Sequence, residues 1–346
     1  MKCINKTKGK KWKEIRRKKL RKTGMLIGGF VVLLVLVITG LTVFMRSKAL
    51  DEPVPYERSS RTFLSASREI SMSVEGMAAG LCVGESQTAM DGITSQEGEL
   101  AALFDIKKGE IPFSNGLYEK TAPGKLTQLM TALVAWENMD MDTQVTVEQE
   151  DFAYGKGSRT CGLAAGNIIP ARQLLNAVLV YSAQDASLVL ARACSGSRDS
   201  FVAAMNSKAV ELGMTNTHFT NVTGAEDEEQ YTTVYDVYLL LNALLNEPDL
   251  TNAMGLANYT LDYSKASGDS KQQWLDSDNL YITGAVSVPK DVTVLGGKMS
   301  VSSDQNYGAL LVQNNYGDAF MAVVLKTDGQ VNLYERLQQM LEKLNS

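Results

Sequence analysis

The chain has 346 residues, enough for one large domain or two small ones, and its formal net charge is −5. The charge is divided unevenly, because twelve of the 34 Lys and Arg residues but only one of the 39 acidic residues precede residue 25. The rest of the chain has 22 basic and 38 acidic residues, a formal net charge of −16, which argues against nucleic acid as a partner.

An apolar run of 21 residues without a charge, 25–45, follows the basic segment 1–24. At about 1.5 Å per residue a helix of this length spans roughly 31 Å, about the thickness of a bilayer core. We therefore predict a single-pass transmembrane helix with a cytoplasmic basic tail on anionic headgroups and an extracytoplasmic main domain. A cleaved signal peptide is the alternative, although its apolar core is usually shorter, about 7–15 residues.

Residues 46–97 are interpreted as a juxtamembrane linker and a segment without an assigned structure, and the folded domain is predicted at 98–346. Hydrophobic periodicity indicates strands first, then helices, then strands before a last helix. The predicted strands are 100–106, 111–120, 258–264, 292–297, 308–315 and 318–327. The predicted helices are 125–139, 170–182, 185–194, 198–212, 232–245 and 331–344.

This order of elements implies a mixed α/β (α+β) domain. One sheet is closed by strands from both ends of the domain, and an all-helical insert at about 125–250 lies on one side. We expect the last helix, 331–344, to pack on this sheet. No internal repeat is evident.

Residues 123–131 read Pro-Gly-Lys-Leu-Thr-Gln-Leu-Met-Thr and open an apolar helix pattern. This segment resembles the Pro-Ala-Ser-x-x-Lys-(Leu/Ile)-Met-Thr segment of D-alanyl-D-alanine carboxypeptidases, the penicillin-binding serine peptidases that trim peptidoglycan stem peptides. In that family the Ser is the acylated nucleophile, and the Lys one helical turn later takes its proton. Here the two positions hold Lys125 and Gln128.

Further segments carry the same resemblance in the correct order. Residues 182–184 read Ser-Ala-Gln where the family has Ser-x-Asn, and 298–300 read Lys-Met-Ser where it has Lys-Thr-Gly. Residues 213–224 resemble its Gly-Met-x-Asn-Thr-His-Phe-x-Asn-x-x-Gly, and the helix pattern at 232–245 follows. The resemblance covers roughly 98–345. It implies a β-lactamase/DD-peptidase-like antiparallel sheet flanked by helices.

The resemblance also implies one cleft that gathers the matched positions, namely Lys125, Gln128, Ser182, Gln184 and Lys298. Gln128 is a neutral amide without useful basicity, and attack by the amine of Lys125 on a peptide carbonyl would end in a stable amide. The sequence thus predicts a homologue without hydrolytic activity that binds a peptidoglycan stem peptide or an envelope protein.

Two other hypotheses stay open at this point. One is an active serine-type carboxypeptidase of peptidoglycan maturation in which Ser182 pairs with Lys125 or Lys298. The other is a structural, partner-binding module whose cleft plays no part. Thr127 and Thr131 are further candidates for the nucleophile. Thr127 projects from a different face of the helix than position 125, which disfavours it.

Two lysines in one cleft repel each other by about 1–4 kcal/mol, depending on the local dielectric. We therefore expect either that one of them has a lowered pKa or that a carboxylate joins them. The candidates for the carboxylate are Asp185 and the C-terminus of a bound peptide. Otherwise Lys125 extends to solvent.

No metal or cofactor is expected, because the cysteines and the single histidine, His218, lack the spacing of a metal site. His218 lies in a segment that is structural in the family, which argues against a Ser-His-Asp triad. Cys82, Cys161 and Cys194 permit one disulfide, and a Cys161–Cys194 bridge is conceivable. No base accompanies Cys161, which disfavours a cysteine nucleophile.

Overall fold

The computed structural model describes residues 80–155, 157–302 and 305–345. The predicted cytoplasmic tail 1–24, the predicted transmembrane helix 25–45 and the linker up to residue 79 lie outside the described residues. In the ranges that are described, no helix has both the length and the apolar character to span a bilayer.

The strands of the described residues are numbered in chain order. They are β1 (Gln87–Thr88), β2 (Leu100–Asp105), β3 (Glu110–Asn115), β4 (Gln144–Thr146), β5 (Ile168–Pro170), β6 (Asn258–Ser264), β7 (Ser270–Asp276), β8 (Thr293–Ser300), β9 (Asn306–Gln313) and β10 (Ala319–Thr327).

The α-helices are numbered in the same way. They are α1 (Thr127–Asn138), α2 (Ala171–Tyr181), α3 (Gln184–Ser195), α4 (Arg198–Glu211), α5 (Val234–Leu245), α6 (Pro248–Met254), α7 (Leu280–Thr283) and α8 (Gly329–Leu341). Two 3-10 turns, Gly124–Leu126 and Gln149–Phe152, accompany them.

The larger sheet has six strands in the order β1-β3-β2-β10-β9-β8. All of its pairings are antiparallel, and β2 lies beside β10, with Leu103 opposite Ala322. Strands from both ends of the domain therefore meet in its centre, as the order of elements predicts. Helix α8 packs on β9 and β10 through buried side chains such as Leu333 and Leu337, so the predicted packing of the last helix is confirmed.

A second sheet has four strands in the order β4-β5-β6-β7, which the sequence analysis did not predict. Two of its strands, β4 and β5, lie inside the segment interpreted as all-helical. They have three residues each, too few for a periodic signal. Strand β7 is polar except for Trp274 and Leu275, so its hydrophobic alternation is weak.

The helices begin and end close to their predicted limits, with two informative differences. The first helix is predicted from Lys125, but the chain forms a 3-10 turn there and α1 begins at Thr127. Pro248 is not only a stop signal after α5, because it begins α6, where a proline lacking an N–H is well tolerated. Helices α1 to α6 pack against one face of the larger sheet around buried side chains such as Leu129 and Tyr238, and α8 packs against the opposite face.

Candidate active site

Lys125 lies in the 3-10 turn directly before α1 and faces the end of β8. Its backbone N–H donates to the Ser300 hydroxyl at 3.0 Å. The two segments approach so closely that a Cβ at Gly124, which has φ +52°, would lie 2.7 Å from that hydroxyl. The turn at position 125 is therefore fixed against the strand that carries Lys298.

A second close contact fixes the same turn from the other side. Gly224 has φ +78°, and a Cβ there would lie 2.0 Å from the Gly124 carbonyl oxygen. Glycine is required at position 224 because any side chain would overlap this backbone atom. The predicted motif at 213–224 thus supports the turn that carries Lys125.

Gln128 is fully buried one helical turn after Lys125. Its Nε2 donates to the Ser182 carbonyl at 3.3 Å, which joins α1 to the end of α2. Among the described residues its Oε1 has no hydrogen-bond partner. An amide in this place holds two helices together, but it cannot take a proton from a hydroxyl.

Ser182 ends α2 in the left-handed conformation, with φ 61° and ψ 35°. A non-glycine residue rarely adopts this conformation, and such outliers occur often at functional sites. Its Oγ is buried and has no hydrogen-bond partner within the described part of the chain. The next matched residue, Gln184, begins α3, and its backbone N–H donates to the Arg159 carbonyl at 2.8 Å.

Lys298 is 1% exposed on β8, and its Nζ donates to the Val178 carbonyl and, at 3.2 Å, to the Leu179 carbonyl. Both carbonyls belong to the C-terminal half of α2, where the helix dipole favours a cation. Burial lowers the pKa of Lys298 to about 7, and the charges of Lys125 and Arg159 act in the same direction. A bare amine at this position is thus near its titration midpoint at neutral pH.

Lys125 and Lys298 belong to one charged cluster together with Arg159 and Asp278. The half-buried Lys125 has a lowered pKa because of burial, which the Asp278 carboxylate opposes and the Arg159 guanidinium reinforces. Arg159 Nη2 lies 2.8 Å from Asp278 Oδ1, and its Nε donates to the Tyr181 carbonyl at 2.7 Å. The cluster therefore holds three basic groups against one carboxylate.

The sequence analysis named Asp185 as one candidate for a carboxylate between the two lysines, and the structure directs this side chain elsewhere. The Asp185 oxygens accept from the backbone N–H groups of Cys161 at 3.0 Å and of Leu163 at 3.1 Å. Asp185 lies at the start of α3, and its carboxylate is directed to the loop that contains Cys161 and Leu163. The Asp278 carboxylate, paired with Arg159, is the one whose charge acts to raise the pKa of both lysines.

Arg159 and Asp278 were both missed by sequence reasoning. They are separated by more than a hundred residues and lie in polar loops without a motif. Their pairing follows only from the fold, in which β7 leads directly to Asp278 and the end of α2 supplies the Tyr181 ring under the guanidinium at 3.9 Å.

The remaining nucleophile candidates are Thr127, Thr131 and Cys161. The Thr131 hydroxyl donates to the Val222 carbonyl at 2.8 Å, while the buried Thr127 Oγ1 has no hydrogen-bond partner among the described residues. Burial raises the pKa of Cys161 well above its ordinary value, as does the Asp185 charge, so its thiol is not activated. Cys82, Cys161 and Cys194 are free thiols, and the conceivable bridge is not formed.

The family model described as D-alanyl-D-alanine carboxypeptidase matches residues 86–290, more than half of the chain. The chain belongs to this family. The match extends through the segments around Lys125, Ser182 and 213–224. Lys298 lies just beyond its end.

Several curated relatives carry the same name. The chain is 30% identical over 191 residues to D-alanyl-D-alanine carboxypeptidase DacF of Bacillus subtilis, covering 54% of this chain and 48% of that protein. It is 31% identical over 170 residues to DacA of Escherichia coli, covering 46% of this chain and 42% of the relative. The chain thus spans about half the length of the curated relatives it matches.

Solved structures confirm the predicted fold class. The DD-transpeptidase of Streptomyces K15 superposes with a TM-score of 0.64 at 18% identity, covering 73% of this chain and 97% of that chain. A D-alanyl-D-alanine carboxypeptidase of Mycobacterium tuberculosis gives 0.62 at 20% identity, covering 75% and 94%. The domain therefore has the DD-peptidase fold, a helix-flanked antiparallel sheet.

Proposed function

We propose that this chain is a membrane-anchored, extracytoplasmic member of the family that binds the carboxylate end of a peptidoglycan stem peptide without forming an acyl-enzyme. The charged cluster carries the proposal. Lys125 lies at the position of the family's nucleophile, and together with Arg159 and Lys298 it faces one carboxylate, Asp278. A bound carboxylate would balance this excess of positive charge.

The loss of acyl transfer follows from what replaces the nucleophile and its base. Gln128 donates to a backbone carbonyl and cannot serve as a base, and Lys125 offers an amine in place of a hydroxyl. An amine that attacked a peptide bond would become an amide, which water does not hydrolyse at a useful rate. A hydroxyl and its base act as a unit, so the loss of both removes most of the catalysis.

The basic groups of the cluster have different parts in ligand binding. Lys125 is half-buried and the Arg159 side chain is 35% exposed, so both can reach a ligand carboxylate. Guanidinium groups bind carboxylates especially well because their N–H groups match the two oxygens. Lys298 is enclosed and donates to α2 carbonyls, so it makes no contact with a ligand and adds charge only in its protonated form.

The membrane location rests on the sequence. The uncharged run 25–45 has the length of one span, and the basic residues before it favour a cytoplasmic N-terminus. The acidic domain then lies on the side where peptidoglycan is found.

A second candidate function is a serine peptidase that uses Ser182, and one observation favours it. Burial lowers the pKa of Lys298 to about 7, so a neutral amine is available as a base near neutral pH. The contacts favour the first function, however. Lys298 Nζ donates to Val178 and Leu179, and the Ser182 hydroxyl has no hydrogen-bond partner among the described residues.

Peptide titration tests the proposed function. We expect calorimetry of the full chain with an N-acylated peptide ending in D-Ala-D-Ala to show saturable binding, and C-terminal amidation of the peptide to abolish it. Lys125→Ala should weaken binding about ten-fold or more, because hydrogen bonds to charged groups contribute about 1.5–3 kcal/mol.

The matched control is Lys290→Ala, whose side chain is 92% exposed outside the cluster. It should bind the peptide as the wild type does. Absence of binding by the wild type, or equal binding by the Lys125 variant, would reject the proposal. The first result would favour the structural module whose cleft plays no part.

A further inference from the structure

The hairpin of β6 and β7 has one face that is open to solvent. Its buried face, with Leu261 and Leu275, packs on α2. Successive side chains of a strand point to opposite faces, so the residues next to Leu261 and Leu275 in each strand point outward. The outward residues used below are Asn258, Thr260, Asp262, Gln272, Trp274 and Asp276.

Trp274 is the single apolar residue among these six, and it is 61% exposed. Tryptophan is one of the more costly residues to leave in water, because its ring has a large apolar area. The indole Nε1 donates to Asp276 Oδ1 at 2.7 Å, and Thr260 lies directly opposite on β6. The ring is therefore held in place with an apolar surface open to solvent.

The neighbours of the ring are planar or hydroxylated polar groups. Asp262 lies opposite Gln272, and Asn258 lies opposite Asp276, so carboxylates and amides flank Trp274 on both sides. Diagonal neighbours on one sheet face are about 7–8 Å apart, within the length of one sugar ring and its substituents. An aromatic ring surrounded by such groups matches a pyranose, which has apolar C–H faces and a rim of hydroxyl groups.

The charge of the face selects among possible partners. The outward residues, which also include Ser264 opposite Ser270, contain two carboxylates and no cation, and this disfavours an anionic polymer or an anionic lipid surface. A protein partner would bury more apolar area than one side chain offers. We propose that this face is a binding platform for an uncharged oligosaccharide, with Trp274 as the stacking residue.

The platform is continuous with the candidate active site. The Asp276 carbonyl accepts from Arg159 Nη2 at 3.4 Å, and Asp278, two residues further on, forms the ion pair with the same guanidinium. A saccharide bound along β7 would therefore end beside the charged cluster. The platform does not depend on peptide binding, since it uses none of the residues of that cluster that contact a carboxylate.

The test is calorimetric titration of the full chain with N-acetylchitotetraose as the probe. We expect saturable binding that Trp274→Ala weakens about ten-fold or more, as truncation of a central aromatic residue commonly does. Trp274→Phe should keep part of the affinity. Tyr316→Ala removes an aromatic ring that is 77% exposed in the turn between β9 and β10, and it should have no effect.

Lys125→Ala separates this proposal from the proposed function, because it should leave saccharide binding unchanged while it weakens peptide binding. Equal thermal unfolding midpoints of the wild type and Trp274→Ala would establish that the variant is folded. The proposal is overturned if the wild type does not bind the probe, if Trp274→Ala binds it equally well, or if Trp274 proves to be required for a peptide and not for the saccharide.

Discussion

At the scale of single residues, Lys298 joins the site to the stability of the domain. Its side chain is 1% exposed, and burial lowers its pKa to about 7 from an ordinary value of 10.5. Between these two values the unfolded chain binds a proton that the folded chain does not. The contribution of Lys298 to the free energy of unfolding therefore increases as the pH rises through this window.

We predict that wild type gains stability relative to Lys298→Met when the pH rises from about 7 to 9, by at most about 1.4 kcal/mol per pH unit. The measurement is urea unfolding of both proteins at each pH. The difference between their free energies of unfolding is then compared across the pH values. Titrating groups outside the charged cluster cancel in this difference. Lys290→Met, with a side chain that is 92% exposed, should show a flat difference. A flat difference for Lys298→Met would contradict the lowered pKa.

Lys125 and Gln128 stand where the family has its nucleophile and its base. The two side chains occupy successive turns of one helical segment, so a serine and a lysine there would face each other. We predict that the double substitution Lys125→Ser with Gln128→Lys allows slow acylation by a fluorescent penicillin, detected as a covalent label on the denatured chain.

The single substitution Lys125→Ser is the control, and it should stay unlabelled because its hydroxyl lacks a lysine one helical turn later. Acylation by the double variant is expected to be slow, since Gln184, Met299 and Ser300 still differ from the family's motifs. Equal labelling of the two variants, or no label on a folded double variant, would show that these two positions are not what limits the chemistry.

At the scale of elements, the site depends on the contact between the turn at 124–126 and the segment 213–224. Gly213 and Gly224 both have positive φ, but a Cβ at Gly213 has open space and one at Gly224 meets a backbone oxygen. Alanine substitutions at the two glycines therefore distinguish backbone strain, which both would cause, from steric overlap, which only the Gly224 substitution would cause.

We predict that Gly224→Ala lowers the free energy of unfolding by about 1–3 kcal/mol more than Gly213→Ala does, as overpacking in a tight site commonly does. Both substitutions carry a similar penalty for the left-handed backbone, so the difference reports the overlap. Urea unfolding of the two variants measures it. Equal destabilisation would mean that the two segments are less closely packed than the structure shows.

The elements with strong periodicity could be predicted from the sequence, and the weakly patterned ones could not. Helices such as α2 and α5 have long apolar faces, and β10 has a continuous apolar run. Strand β7 has a single buried residue, Leu275, and gives no comparable signal. The sheet that carries Trp274 was therefore missed.

The site could be predicted only in part, for a different physical reason. Lys125, Gln128, Ser182 and Lys298 stand in motifs, and their local environments follow from the fold. The pairing of Arg159 with Asp278 depends on how β7 and the end of α2 meet, which no local pattern encodes. Asp185 was a candidate because its distance along the chain from Ser182 is short, but its carboxylate is directed to another loop.

At the scale of the whole molecule, the two proposed surfaces would serve one polymer. The proposed cleft binds the carboxylate end of a peptide, and the proposed platform at Trp274 binds an uncharged glycan beside it. Peptidoglycan joins a glycan chain to stem peptides, so one ligand could occupy both surfaces, and the two proposals can still be tested separately.

The central claim, that this member of the family cannot form an acyl-enzyme, is tested most directly by intact-mass measurement of the full chain after incubation with an excess of penicillin. A family member that retains the Ser and Lys of the first motif serves as the positive control. We predict that the mass of this chain does not change while the control gains one penicilloyl group. A penicilloyl adduct on this chain, located by peptide mapping to Ser182 or Lys125, would contradict the account.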